Sequence, residues 1–195
     1  MPPGAELGVD EIVAVLASGA ERPLGPGVRV TQLEHALATA AVLRRHEPDD
    51  DELVVAGLVH DLGQLLAGAR DETHAADGAA AVRAALGERV AGIVALHVEA
   101  KRYLVGVDAN YEARLAGDSV VSLGRQGGAL DEGEATAFLR RPWAAEAVTL
   151  RRADDGGKAD APGLVVGGLA AWVPLLRQVS ELSGGADRSH GERAD

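Results

Sequence analysis

Apolar residues recur at intervals of three and four along most of the chain, and the breaks between these runs mark helix ends. Ile12, Val13 and Leu16 follow Asp10, a residue type that caps helices, and Gly19 closes this first segment. Residues 21–30 hold two prolines and two glycines and read as a loop. Thr31-Gln32-Leu33-Glu34 has the spacing of a capping box, and Leu33, Leu37, Ala40 and Leu43 continue the period to about His46. Pro48 and the acidic run 49–52 suit a helix N-terminus, and the nearly unbroken apolar run that follows predicts a buried helix over 53–61. After a connecting segment, 64–71, an alanine-rich helix from about 73 to 86 stops at Gly87. The next helix, 88–101, sets Val90, Ile93, Val94 and His97 on one face.

Farther along, Asp108 is placed to cap a short helix through Tyr111 and Leu115, whereas 119–128 is polar and glycine-containing and reads as partly irregular. Asp131-Glu132-Gly133-Glu134 forms a second capping box opening a helix to Leu139. Pro142 starts a helix through Val148 to Asp154, 154–162 reads as a loop, and 165–182 is a terminal helix restarted at Pro174. No segment alternates with the period of a strand. The expectation is an all-α, single-domain compact helical bundle over 1–182. The polar segment 183–195, with His190, is expected to be a disordered tail without function.

Composition narrows this further. Of the 195 residues, 47% are hydrophobic but only 3% aromatic, so the core must be built from Ala, Val and Leu, which suits close-packed helices. With no cysteine there is neither disulfide nor thiolate ligand, so any metal must be held by nitrogen and oxygen, and a cytoplasmic location is expected. A net charge of −11 argues against nucleic acid as a partner. No basic-then-apolar leader pattern opens the sequence, and the longest apolar run, 164–176, is too short to span a bilayer and contains Pro174. No membrane partner is expected. Seventeen of the 19 basic residues are arginine; the two lysines, Lys101 and Lys158, stand out against that bias.

The candidate chemistry lies in the order His35, His60-Asp61, His74, His97, Asp154. Taken singly, each histidine is explained as a hydrogen-bonded core residue. Taken together, burying four imidazoles without partners would leave polar atoms unsatisfied at about 1–3 kcal/mol each, and shared metal ions remove that cost. His60 and Asp61 are adjacent, so on one helix they would point about 100° apart and would need to converge on metals placed between them. Four histidines and two aspartates exceed the needs of one catalytic ion with an open position; they divide into two sites sharing Asp61. Imidazole and carboxylate suit iron or manganese, with zinc permitted by ligand type.

These residues resemble the HD-domain superfamily, and in particular its phosphonate-catabolic mixed-valent di-iron oxygenases, relatives of myo-inositol oxygenase. The resemblance covers about 31–163. It is carried by Gln32-Leu33-Glu34-His35, His60-Asp61-Leu62-Gly63, the run from His97 through Lys101-Arg102-Tyr103-Leu104, Gln126-Gly127-Gly128 with Asp131-Glu132-Gly133-Glu134, and Arg151-Arg152-Ala153-Asp154. It implies two irons in a mixed Fe(II)/Fe(III) state and O2 as co-substrate. His35, His60 and Asp154 would hold one iron, His74 and His97 the other, with Asp61 bridging. The implied reaction is oxidative cleavage of the C–P bond of a 1-hydroxyalkylphosphonate to phosphate and a carboxylic acid. Lys101, at i+4 from His97, and Arg151, at i−3 from Asp154, would then face the phosphonate, with Ser119 and Ser122 as added hydroxyl donors. Tyr103 and Tyr111 read as packing residues.

Members acting on the aminoethyl substrate carry a Tyr and a Glu in the loop ahead of the first histidine. Here that loop is Leu24-Gly25-Pro26-Gly27-Val28-Arg29 and has neither; Gln64 and Ala75 also depart from the family pattern. The substituent on the substrate, whether aminoethyl, quaternary-ammonium or without an amine, therefore stays open, as does the oligomeric state. Two other readings share the ligands: an HD-type metal-dependent phosphohydrolase acting on a phosphomonoester or nucleotide, and a metal-stabilised helical module without turnover.

Overall fold

The computed structural model describes residues 6–25, 27–160 and 167–191. Helix α1 (Val9–Ser18) starts at Gly8, whose N–H is taken by the Glu11 carboxylate at 2.8 Å; Asp10, the expected cap, lies within the first turn and acts on the helix dipole instead. The capping box of α2 (Gln32–His46) forms as read: Thr31 Oγ1 accepts from the Glu34 N–H, and the Glu34 carboxylate accepts from the Thr31 N–H at 2.8 Å. Asp50 caps α3 (Asp51–Val59) by accepting from the Leu53 N–H at 3.0 Å. A four-residue turn, α4 (Leu62–Leu65), follows at once.

Helix α5 (His74–Val107) is two helical arms joined at Gly87, whose φ of +84° only glycine adopts without strain. Its second arm runs past Lys101, the expected end, to Val107. The expected helix after Asp108 is reduced to a 3₁₀ turn over Glu112–Arg114. Of the segment 119–128, expected to be partly irregular, the first part belongs to α6 (Gly117–Arg125), whose buried side, Ser119 and Leu123, faces the interior, and 126–128 lie outside the helix. Helix α7 (Glu132–Leu139) opens with the Asp131–Glu134 box.

The largest departure is α8 (Ala144–Asp160), which continues through 154–160, the stretch expected to be a loop. The glycines that suggest a break have a packing role. A Cβ on Gly157 would lie 2.7 Å from Thr39 Oγ1 and 3.0 Å from the Thr39 backbone nitrogen, so glycine lets α8 close on α2. Helix α9 (Val173–Gly191) carries Pro174 in its first turn, where a missing N–H costs nothing. It runs on to Gly191, so the boundary expected at 182/183 falls inside a helix; 192–195 lie outside the described residues.

Helix α3 sits at the centre, with Leu53 to Val59 all buried, and α2, α5, α8 and α9 pack round it. Val54, Val55 and Leu58 share one core with Val90, Ile93, Leu150 and Leu176. Among the described residues, extended pairing is confined to a single bridge between Pro23 and Thr31, so the architecture is all-α. No helix among them is long and apolar enough to cross a membrane.

Candidate metal centre

The adjacency of His60 and Asp61 is resolved by the backbone. Helix α3 ends at Val59, His60 keeps helical angles, and Asp61 leaves them, at φ −99° and ψ 11°, before α4 starts. The chain turns between the two side chains, so both reach the same space. Gly63 makes the next contact possible: a Cβ there would lie 2.0 Å from the His74 carbonyl oxygen, so only glycine lets α4 lie against the start of α5. That close approach brings His74 beside Asp61. His97 arrives because α5 folds back at Gly87. A continuous helix would separate His74 and His97, 23 positions apart, by about 34 Å, yet their Nε2 atoms are 3.1 Å apart.

Four histidines and two aspartates thus converge. The Nε2 atoms of His35 and His60 are 3.3 Å apart. Asp61 stands between the pairs: Oδ1 is 3.3 Å from His74 and 3.5 Å from His97, and Oδ2 is 3.4 Å from His60 and 3.9 Å from His35. Asp154, brought by α8, puts Oδ1 3.1 Å from His35 and 4.0 Å from His60. Two donor groups share the carboxylate of Asp61, one made with His35 and His60 and the other with His74 and His97.

The tautomers show what this arrangement needs. His60, His74 and His97 each place Nδ1 at 2.7 Å from the carbonyl three residues back, on Gly57, Asp71 and Val94, so Nδ1 carries the proton and donates. A neutral ring then turns the Nε2 lone pair inward, where lone pairs face each other and the oxygens of Asp61. A shared cation removes that repulsion. Asp154 Oδ1 points the same way: it is buried and, among the described residues, without a hydrogen-bond donor, although Lys158 Nζ stands 3.0 Å off. The donor set therefore fits two metal ions held by nitrogen and oxygen.

Protonation agrees with this at His35, His97 and the two aspartates. Burial holds His35 below the ordinary histidine value against the pull of Asp154, and burial, with His74 adding, holds His97 at about 4. Burial also works against His60 and His74, but the Asp61 charge outweighs it and raises both. Burial would raise Asp61 and Asp154; His60 chiefly for the first, and Arg151 and Lys158 for the second, hold them well below the usual carboxylate range. Ionised carboxylates and neutral imidazoles at His35 and His97 are the forms that bind metal.

A cavity of about 810 Å³ opens onto Asp61, His74, His97 and Asp154. Its far wall is basic and hydroxyl-lined. Buried Lys101 donates to Ser122 Oγ at 2.7 Å, Ser122 donates to the Ser119 carbonyl at 3.1 Å, and Lys158 donates to Ser119 Oγ at 3.1 Å. Burial pushes Lys101 down to about 8, with Arg151 and Lys158 adding to the effect. Leu24, Gly25, Val28 and Val30 close one side.

All six sequence-predicted ligands meet in this cluster, and Lys101, Arg151, Ser119 and Ser122 all line the cavity. Arg151 differs from expectation in one respect: its guanidinium already grips Asp154 and Asp155. Asp154, expected at the last position of a helix, is well within α8, and so Lys158, one turn later, shares its face. Lys158 stood out in the sequence as one of two lysines but was given no place in the site; its i+4 spacing from Asp154 was the signal, hidden by the glycines between them. Gln126 was missed as well. It donates to the Asp71 carbonyl at 3.2 Å, the same oxygen that takes the His74 Nδ1 proton.

Fold and site together define a helical metalloprotein with an HD junction at its centre. A family profile described as myo-inositol oxygenase matches residues 5–82. The chain is 39% identical over 138 residues to the hydroxymethylphosphonate dioxygenase of Gimesia maris, covering 66% of this chain and 68% of that one. It is 30% identical over 140 residues to the glycine-betaine-forming [1-hydroxy-2-(trimethylamino)ethyl]phosphonate dioxygenase of Leisingera caerulea, covering 68% and 71%. A shorter match, 38% over 61 residues, covers 31% of this chain and 20% of a probable inositol oxygenase of Oryza sativa subsp. japonica. The chain belongs to the HD-domain oxygenase family that includes myo-inositol oxygenase, and it is an enzyme of that family.

Proposed function

We propose that this enzyme is a di-iron, O2-dependent oxygenase that cleaves the C–P bond of a 1-hydroxyalkylphosphonate, giving phosphate and a carboxylic acid. The observation that carries the reading is one cavity joining a two-part His/Asp cluster to Lys101, Lys158, Ser119 and Ser122, the groups that a phosphonate dianion needs. Two relatives named for phosphonates with a hydroxyl on the carbon beside phosphorus support it.

His35, His60 and Asp154 would hold one iron, and His74 and His97 the other, with Asp61 bridging. Bound there in the mixed Fe(II)/Fe(III) state, the pair supplies redox chemistry with O2 that ester hydrolysis does not require and C–P cleavage does. For hydroxymethylphosphonate, O2 takes four electrons. One oxygen atom enters the carboxylate, the other enters phosphate, and a proton is released. The residues of the chain have simpler tasks. Lys101 and Lys158 neutralise the phosphonate, the hydroxyls of Ser119 and Ser122 orient its oxygens, and C1 with its hydroxyl is turned toward Asp61, His74 and His97. The apolar wall of Leu24, Val28 and Val30 excludes water from the reacting carbon.

Anaerobic reconstitution with iron, followed by a substrate panel with O2 and phosphate readouts, tests the reading. Hydroxymethylphosphonate and its trimethylaminoethyl and aminoethyl analogues should release phosphate only with O2. Phosphate release from phosphomonoesters, independent of O2, would replace this reading with the phosphohydrolase one.

A further inference from the structure

We propose that Tyr111 and Asp155 are positioning residues that clasp the Arg151 guanidinium and fix how it meets the anionic end of the substrate. The proposal rests on the phosphonate reading above. Arg151 is 3% exposed, and each of its three guanidinium nitrogens is engaged through one N–H. Nη1 donates to Asp154, Nη2 donates to Asp155, and Nε donates to the Tyr111 hydroxyl oxygen at 3.2 Å. The Tyr111 hydroxyl donates in turn to the second oxygen of Asp155, which closes a ring of three side chains. Burial pushes the Tyr111 phenol up, so it stays protonated and serves as donor and acceptor at once. A guanidinium has five N–H groups, of which three are engaged here; two remain for a ligand in the cavity that Arg151 lines.

The geometry separates the role of the hydroxyl from that of the ring. The Tyr111 ring packs with Leu104, Leu115 and Leu123, and its backbone N–H is bonded to the Asp108 carbonyl at 2.9 Å. Removing the hydroxyl leaves that packing intact. It strips the acceptor from a buried Arg151 N–H and the donor from Asp155, and the guanidinium can recover both only by rotating. Rotation takes the two remaining N–H groups off the bound anion. Among the described residues Asp155 pairs only with Arg151 and Tyr111, and its position next to Asp154 in α8 lets the two carboxylates take different nitrogens of the Arg151 guanidinium.

The test titrates inorganic phosphate into the iron-loaded enzyme under anaerobic conditions, by calorimetry, with iron content and thermal midpoint measured alongside. In Tyr111→Phe the phosphate Kd should rise about tenfold, and KM for the hydroxyalkylphosphonate should rise in step, with kcat within about twofold. Iron content and midpoint should match the wild type. Asp155→Asn keeps the shape of the side chain and should raise Kd by about threefold. A phosphate Kd unchanged in both variants overturns the clasp, and so does a lowered midpoint with unchanged Kd. A raised Kd in an enzyme that turns over no hydroxyalkylphosphonate supports the clasp and overturns the substrate reading instead. No phosphate binding by the wild type overturns both.

Discussion

His35, His60 and Asp154 come from three helices, α2, α3 and α8, and the two histidines are sealed away from the cavity; His74 and His97 come from the single folded-back helix α5 and form part of the cavity wall. The deep half of the cluster is held from outside by charge, since Asp154 sits among Arg151, Lys158 and His35. Backbone carbonyls orient imidazoles in both halves, Gly57 for His60 in the deep one and Asp71 and Val94 for His74 and His97 in the outer one, where Gln126 steadies Asp71. The difference assigns them different tasks. Both halves reach the cavity, the deep one through Asp154 and the outer one through His74 and His97, so only the outer half sets imidazoles against the space where a ligand enters. Asp61 is the one residue common to both.

Asp61→Ala is therefore the harshest test. It should empty both halves, with iron per chain falling close to zero after anaerobic reconstitution; full retained iron would contradict the shared carboxylate. His97→Ala should instead keep the deep metal and lose the outer one. Gly63→Ala attacks the seam between the halves. The added methyl meets the His74 carbonyl, so the variant should lose about 1–3 kcal/mol in denaturant melts and bind the outer metal poorly while the deep one persists.

Smaller effects concern the cavity. Lys101→Ala and Lys158→Ala should each leave iron content unchanged and raise the Kd for inorganic phosphate by roughly 10–100-fold, the worth of one charge-assisted hydrogen bond. Lys101 adds a pH dependence. Burial puts its ordinary value down to about 8, so the site is cationic below that pH and loses the charge as pH rises through it. A bound anion raises the ammonium again, so phosphate affinity should fall above pH 8, and binding at that pH should take up at most about half a proton, rising toward one at higher pH. Calorimetry in buffers of differing ionisation enthalpy reads this directly, and Lys101→Ala should abolish it. The mildest change is Gln126→Ala, which removes the second donor to the Asp71 carbonyl. A loss of about tenfold in outer-metal affinity, with the deep site untouched, is expected from a partner at this remove.

Much of the fold was legible because local chemistry set it. The Thr31–Glu34 and Asp131–Glu134 boxes and the stop at Gly87 act through neighbours a few residues away. Where reading failed, a distant contact had overruled a local preference. Gly156 and Gly157 read as a loop, yet Gly157 is the small residue that α2 requires at Thr39. Polar 119–128 read as partly irregular, yet 119–125 fold into α6 because Ser119, Ser122 and Leu123 find partners across the cavity and beneath it. Tyr111 read as packing, which describes its ring and misses its hydroxyl.

The His60-Asp61 pair shows where the division lies. Residue type and order were enough to nominate the six ligands, because buried imidazoles and carboxylates need partners whatever the fold. Helical spacing was enough to put Lys101 on the face of His97. Convergence was another matter. Whether two adjacent side chains meet depends on where α3 ends, and whether His74 joins them depends on how closely α4 approaches α5 at Gly63. Those are properties of packed backbones, with no signature in the spacing of the residues themselves. The ring of Tyr111, Asp155 and Arg151 belongs to the same class, since residues 40 positions apart meet only when α8 is packed home.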